Sequence, residues 1–328
     1  MLVYFDKPNL VSFLYANKDK RFRYCEETLL QHCHVCMNFS KGDLLDDSDE
    51  NDLIIEWMKK CSDGFDTIAW SWDVKFPERQ IKSNTPNSFN TSQHSAVYLI
   101  TDEKLELLKN KNQYLVSFQG NEIDVLANLW FDDRQYIKNI FGDLINWTAL
   151  SYYQSPCSDI IICDQFFLLD ESLLESNLYA LLLQLCYESK KSKMNIVIFT
   201  LKEYKGKFCV DCNVVKNKIQ ELVAKRTGLK PNVTIVTGSS RKLGEHDRTI
   251  FTNYKLYTSG DSFNYFDSLG KKITNGRFFH VYSLASKDNR QTASGFLQDM
   301  QRLYDSIKLS APENIHREAN CKCNFLQL

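Results

Sequence analysis

No stretch of this 328-residue sequence stays apolar long enough to cross a bilayer. Its richest segment, LYALLLQLC (178–186), falls far short of the ~20 residues a spanning helix needs. No secretory leader is recognisable either. The first apolar stretch is cut at once by Asp6, Lys7 and Pro8, and no positive segment precedes it. These absences predict a cytoplasmic protein without a transmembrane segment. Net charge is also nearly absent, at −1, so composition alone points to no polyanionic partner. There is no disulfide framework: the eleven cysteines are odd in number and scattered, and they read as free, small, buried hydrophobes. Internal repeats are lacking, and the one biased tract is the acidic run DLLDDSDENDL (43–53).

What is present is a globular composition, 43% hydrophobic and 13% aromatic, in a chain long enough for about two ordinary domains. The balanced charge hides an asymmetry. Residues 1–150 carry a net of about −7 and residues 151–328 about +6, which favours the second half as the one that meets phosphate.

Strand and helix patterns alternate along the chain. In the first half, LVYF (2–5), DTIAWSW (66–72), SAVYLIT (95–101) and YLVSFQG (114–120) read as strands. Helices are expected over 9–18, 25–37, the residues around Ile54 to Met58, 103–111 and from Ile123. FPERQIKSNTPNSFNTSQ (76–93) reads as a long loop or lid. A linker is placed near TALSYYQSPCS (148–158). Beyond it, DIIICDQF, NIVIFT, NVTIVTG, RTIFT, YKLYTSG and RFFHVYSLA read as strands. Helices are expected over 171–191, 212–228 and 295–309. The sequence therefore predicts an α/β fold: a domain over 1–148, a second over 155–310 and a tail over 311–328. The second domain is expected to be a mainly parallel sheet with helices on both faces.

The segment SSRKLGEHDRTIFTNYKLYTSGDSFN (239–264) carries the most chemistry. His246 and Arg248 alternate on one face of an extended strand. A histidine can attack phosphorus or hydrogen-bond a phosphate, and a guanidinium fork neutralises the oxygens. The alternative is a local ion pair with Glu245 or Asp247. The spacing resembles that of phospholipase D-type enzymes, HxK(x)4D(x)6G followed by a Ser/Asn pair. His246 holds the His position, Arg248 replaces Lys, Asn253 replaces Asp, Gly260 keeps its place, and Ser262 and Asn264 follow. Asparagine orients or charge-stabilises a histidine less well than a carboxylate does, so the pattern favours binding over turnover. The second half also resembles the C-terminal phospholipase D-like domain of MIT-domain proteins, which act with the ESCRT machinery in abscission. The matching features are Asp164-Gln165-Phe166-Phe167, IVIFT, HDRTI at 246–250, Asn253, and Gly260 with Asn264-Tyr265-Phe266. That resemblance implies a phospholipase D-like fold without the full catalytic set, acidic-membrane binding and self-association. Because such sites commonly use two motif copies and this chain has one, it also implies a homodimer through the second domain. Lys255 shares the strand face of Asn253, and Arg241, Lys242 and Arg277 are further candidates for a basic rim.

The expected function is binding of phosphate, on a nucleic-acid backbone or an acidic phospholipid, through His246, Arg248, Asn253, Lys255, Ser262 and Asn264, with no cofactor required. The alternative is a phosphodiesterase or nuclease. It would act either through His246 or through Mg²⁺ held by acidic strand ends of the first domain, Asp6 and Asp102, with Glu26, Glu27 and Asp124 as possible partners. In that case the order of elements resembles a PIN-like nuclease. The plainer role of Asp6 and Asp102 is to cap helices. HCHVC (32–36) with Cys25, and the pairs Cys209/Cys212 and Cys321/Cys323, invite a zinc reading. Their separation into different halves, and the fit of Cys33 and Cys36 to an apolar helix face, argue against it.

Overall fold

The computed structural model describes residues 1–64, 69–74, 96–100, 116–118, 122–130, 137–139, 145–155, 157–186, 194–239, 243, 248–273, 278–319, 321, 323 and 325–328. The expected loop at 76–93 and helix at 103–111 lie outside them. The chain is α/β and divides into two compact units. One comprises the elements up to Trp130 together with Ser283–Gln291. The other comprises Ile137–Tyr282 with Thr292–Leu328.

In the first unit, β1 (Leu2–Phe5), β2 (His34–Met37), β3 (Ala69–Ser71), β4 (Val97–Leu99) and β5 (Val116–Phe118) form a wholly parallel sheet in the order β3-β2-β1-β4-β5. Parallel neighbours need long crossovers. Helices α1 (Lys7–Tyr15) and α2 (Phe22–His32) lie between β1 and β2, α3 (Asp49–Gly64) lies between β2 and β3, and α4 (Glu122–Trp130) follows β5. Strands β1, β2 and β4 are apolar on both faces, as a doubly covered sheet requires. Val3, Phe5, Val35, Met37, Val97 and Leu99 alternate with Tyr4, Cys36 and Tyr98, and all are buried. Tyr4 and Tyr98, opposite each other in register, stack with ring centroids 4.4 Å apart.

The helix expected over 25–37 ends at His32, and His34–Met37 is a strand. Leu29, Cys33 and Met37 do continue a helical spacing. Pairing of His34–Met37 with Leu2–Phe5, residue for residue, overrides it. The unit also holds residues from far along the chain. Arg290, 8% exposed, donates to the carbonyls of Leu284 (2.7 Å), Ala285 and His32 (2.6 Å).

The second unit holds an eight-stranded sheet in the order β15-β11-β8-β7-β12-β13-β14-β6. Its strands are β6 (Ile137–Asn139), β7 (Asp159–Cys163), β8 (Asn195–Leu201), β11 (Asn232–Gly238), β12 (Arg248–Thr252), β13 (Lys255–Ser259), β14 (Phe279–Ser283) and β15 (Ile315–His316). Among the described pairings, β11, β8 and β7 run parallel, whereas β12 is antiparallel to β7 and β13, β15 to β11, and β14 to β6. The sheet is thus mixed rather than mainly parallel. The two residues between β12 and β13 are too few for a crossover and dictate a hairpin. A small exposed hairpin, β9 (Glu203–Tyr204) and β10 (Lys207–Phe208), leaves the end of β8.

β7 and β8 are buried along their whole length, which their continuous apolar sequences anticipate. Helices α5 (Ala180–Leu185), α6 (Cys212–Thr227) and α7 (Lys287–Ser310) complete the described helices. α6 stops at Gly228, whose φ of 76° suits glycine. The helix expected over 171–191 is instead a 3₁₀ turn (Glu171–Leu173), a π-helical turn (Glu175–Tyr179) and then α5. The π turn carries Asn177, which donates to the Phe266 carbonyl (2.7 Å) and accepts from its N–H (3.0 Å). The expected linker is also packed structure. Trp147–Tyr153 form a 3₁₀ helix, and Trp147 is buried edge-on against Tyr265, Phe266 and Phe279. No helix among the described residues is long and apolar enough to cross a membrane.

Candidate functional sites

The register of β12 against β7 decides which sequence-selected residues can meet. Thr249 pairs with Cys163 and Thr252 with Ile160. Arg248 therefore stands at the end where β7 runs into Asp164, and Asn253 stands at the end where β7 begins. The five residue steps from one to the other span about 17 Å of strand. Among the residues expected to bind phosphate, Arg248 and Asn253 consequently stand at opposite ends of the strand.

At the first end, Asp164 is 1% exposed. It accepts from the Phe166 N–H (2.8 Å), the Phe263 N–H (2.6 Å) and the Ser262 hydroxyl (2.9 and 3.0 Å). Burial pushes its carboxyl up to about 6, against the opposing pull of these hydrogen bonds and of the Arg248 charge. Asn264 donates through Nδ2 to the Phe166 carbonyl (3.1 Å), while its N–H donates to Ser262 Oγ (3.3 Å). The Arg248 guanidinium lies 5.5 Å from the Phe166 ring centroid, a cation–π arrangement. Among the described residues, Arg248 Nε and Asn264 Oδ1 are buried with no hydrogen-bond partner. Arg248, Ser262 and Asn264 are thus brought together around Asp164. Asp164 has a legible signal in the sequence, an acid closing a buried apolar strand.

This end of the sheet is the carboxyl edge of its parallel strands, where open α/β sheets hold ligands. A neighbouring pocket of about 340 Å³ is lined by Lys202, Lys205, Gly238, Ser239 and Asn314. Phe166 connects the two places: its ring packs edge-on to Tyr204 at 5.0 Å, and Lys205 Nζ lies 5.2 Å from the Tyr204 ring. His246, Arg241, Lys242 and Arg277 lie outside the described residues.

At the far end, Asn253 Oδ1 accepts from the backbone N–H groups of Ser158 (2.7 Å) and Asp159 (3.2 Å), and its Nδ2 donates to Ser158 Oγ (3.1 Å). Asn195 donates to Asp159 (2.9 Å) and accepts from Asn232 (3.0 Å), so a buried polar ladder fastens the starts of β7, β8 and β11. Lys255 is fully buried, and its Nζ donates to the Tyr153 carbonyl. Burial pushes its ammonium down to about 7. Asn253 and Lys255 are accordingly structural where they stand. Replacing Asn253 by alanine strands two backbone donors and is expected to cost about 2–4 kcal/mol in chemical denaturation, with no loss of phosphate affinity.

In the first unit the winding of the sheet reverses between β1 and β4, and Asp6 directly follows β1 at that point. Asp6 caps α1, accepting from the Asn9 N–H (3.1 Å) and Nδ2 (2.6 Å). Close to it is Glu122, the first residue of α4, which no sequence pattern singles out. Its Oε2 accepts from the Ser12 hydroxyl (2.9 Å), and its Oε1 is buried without a partner among the described residues. Burial raises the Glu122 carboxyl, and the charge of Asp6 raises it further. The other acids considered are engaged elsewhere. Glu26 takes the Trp57 indole N–H (2.8 Å) and Lys60, Glu27 pairs with Arg23, and Asp124 with Arg21. Asp102 lies outside the described residues. No group of three or more His, Cys, Asp or Glu side chains gathers for a metal among the described residues. No protein-family model matches the chain, and no curated protein matches it.

Proposed function

We propose that the protein binds phosphate groups at the carboxyl edge of the second unit's sheet, in the cytoplasm and as a homodimer, without turning the ligand over. One observation carries this reading. A guanidinium, Arg248, is held over an aromatic ring beside Ser262 and Asn264, with a buried N–H that no described residue accepts. An oxyanion supplies the missing acceptor, and the forked geometry of arginine suits it. The lysines of the adjoining pocket, Lys202 and Lys205, extend the positive rim. The phospholipase D-like resemblance supports the same chemistry but not catalysis, since Asn253 serves the opposite end of the strand.

The test uses two probes at low salt: fluorescent oligonucleotides, single- and double-stranded, and vesicles rich in phosphatidylserine. Binding is expected to fall steeply with salt. Arg248→Ala is expected to weaken it about tenfold, and Asn253→Ala and Lys255→Met to leave it unchanged. Absence of binding to both probes, or indifference to Arg248→Ala, would overturn the reading. The probe that binds identifies the ligand. Light scattering showing only monomer would remove the dimer.

A second reading is favoured by one separate observation, the buried Glu122 Oε1, without a partner among the described residues, beside Asp6 at the point where the first sheet reverses. Two carboxylates at that place suit a divalent cation. Asp6 and Glu122 would hold Mg²⁺, which would supply charge neutralisation for phosphodiester cleavage. Cleavage of labelled RNA or DNA that needs Mg²⁺, stops with EDTA and is lost in Asp6→Ala but kept in His246→Ala would establish it. No cleavage with or without Mg²⁺ would remove it.

A further inference from the structure

The pair Cys209 and Cys212 belongs to neither reading, yet it is built with care. Cys209 ends the strand pair that leaves β8, and Cys212 is the first residue of the sixteen-residue helix α6. Asp211 between them caps α6, accepting from the Asn213 N–H at 2.8 Å. The backbone that carries the pair is pinned on both sides. Cys209 N–H donates to the Lys202 carbonyl (2.9 Å) and Val210 N–H to the Leu168 carbonyl (2.9 Å). The two thiols adjoin, and each is the largest influence on the other's titration. Of the eleven cysteines, nine are buried; Cys209 and Cys323 alone are half-buried.

We propose that Cys209 and Cys212 are a redox-active dithiol that exchanges with low-molecular-weight disulfides such as oxidised glutathione. The geometry assigns the roles. Cys209 is the attacking sulfur because it is the accessible one of the two and stands before the amino end of α6. The neighbouring Cys212 thiol, helped by the Lys202 charge and opposed by burial and Asp211, lowers the Cys209 thiol below the ordinary thiol range. Cys323 has the opposite tendency, since burial beside Asp159 pushes its thiol up.

The exchange runs in two displacements. The Cys209 thiolate attacks one sulfur of oxidised glutathione, the S–S bond breaks, and one glutathione leaves as thiolate, giving a mixed disulfide on Cys209. The Cys212 thiol then loses its proton to that departing thiolate or to water. Its sulfur attacks Sγ of Cys209 and expels the second glutathione. Two electrons pass from the dithiol to glutathione disulfide, and one intramolecular disulfide and two glutathione thiols result. The bond closes the turn between β10 and α6. The inference is independent of what the carboxyl edge of the sheet binds.

The test uses the full chain, equilibrated in buffers of graded reduced-to-oxidised glutathione ratio, acid-quenched, alkylated and digested with trypsin. Cleavage after Lys207 and Lys216 releases residues 208–216, which contain both cysteines. The expected result is an unalkylated peptide lighter by two hydrogens, appearing as oxidised glutathione rises and before other cysteines are modified. Cys212→Ser is expected to stop at the glutathione adduct on Cys209, and Cys209→Ser to give neither product. In the reduced wild-type protein, iodoacetamide at about pH 7 should modify Cys209 roughly tenfold faster than Cys323, a readout that needs no variant. Persistence of the dithiol throughout the buffer series, equal alkylation of Cys209 and Cys323, or stoichiometric zinc on the purified chain would overturn the proposal.

Discussion

Replacing Asp164 by alanine is expected to lower the unfolding free energy by about 3–5 kcal/mol at neutral pH. The carboxylate accepts from two backbone N–H groups and one hydroxyl, and it lies next to a half-buried arginine. Its removal strands all of them at once, in a place where water cannot substitute. The same residue sets a pH dependence. Its carboxyl, raised from 3.8 to about 6, holds a proton more tightly in the folded chain than in the unfolded one. That contribution is complete below about pH 4 and is lost as pH rises through about 6, at most about 3 kcal/mol in all. Urea unfolding of the wild type across that window should show this component as a fall with pH, and Asp164→Asn should flatten it. A component of the opposite slope would mean that the hydrogen bonds outweigh burial and that Asp164 is an ordinary ionised acid.

Lys255→Met should act in the opposite direction, making the protein about 1–3 kcal/mol more stable at pH 7. The ammonium is fully buried and pushed from 10.5 to about 7. Between those values the unfolded chain binds the proton and the folded chain releases it, so wild-type stability should climb as pH rises from about 7 to 10. Methionine fills a similar volume and abolishes the climb, at the cost of the hydrogen bond to the Tyr153 carbonyl. Denaturation at the two ends of that range measures both effects. Strong destabilisation by methionine at pH 7 would show that the hydrogen-bonded ammonium is held more firmly than burial alone predicts. Unchanged phosphate affinity in the same variant would separate Lys255 from the carboxyl-edge site.

The legible parts of the fold are those that local pattern determines. DIIIC and NIVIFT read as buried strands because parallel neighbours cover both faces, and α6 reads as a helix with its stop because Gly228 takes a left-handed turn. HVCM was read as helix because Leu29, Cys33 and Met37 keep a helical spacing. Only the distant partner Leu2–Phe5 makes it a strand. The phosphate set failed for a related reason. Alternation along a strand tells which face Arg248 and Asn253 occupy, but not that β7, a segment nearly ninety residues earlier, runs past them and separates their ends. Asp164 and Glu122 escaped selection because each gains its meaning from surroundings assembled by the fold. In Asp164 these are donors from Phe166, Ser262 and Phe263; in Glu122, they are Ser12 and the charge of Asp6.

Arg290 bears on how the molecule is made. Its guanidinium bridges the carbonyl that ends α2 to Leu284 and Ala285, so the first unit borrows Ser283–Gln291 from far along the chain. Synthesis is vectorial, and amino-terminal modules ordinarily complete themselves while the rest is still being translated. Here that order is broken. On the ribosome, the nascent first unit must wait, with its seam open, until Ser283–Gln291 has followed the strands of the second unit out.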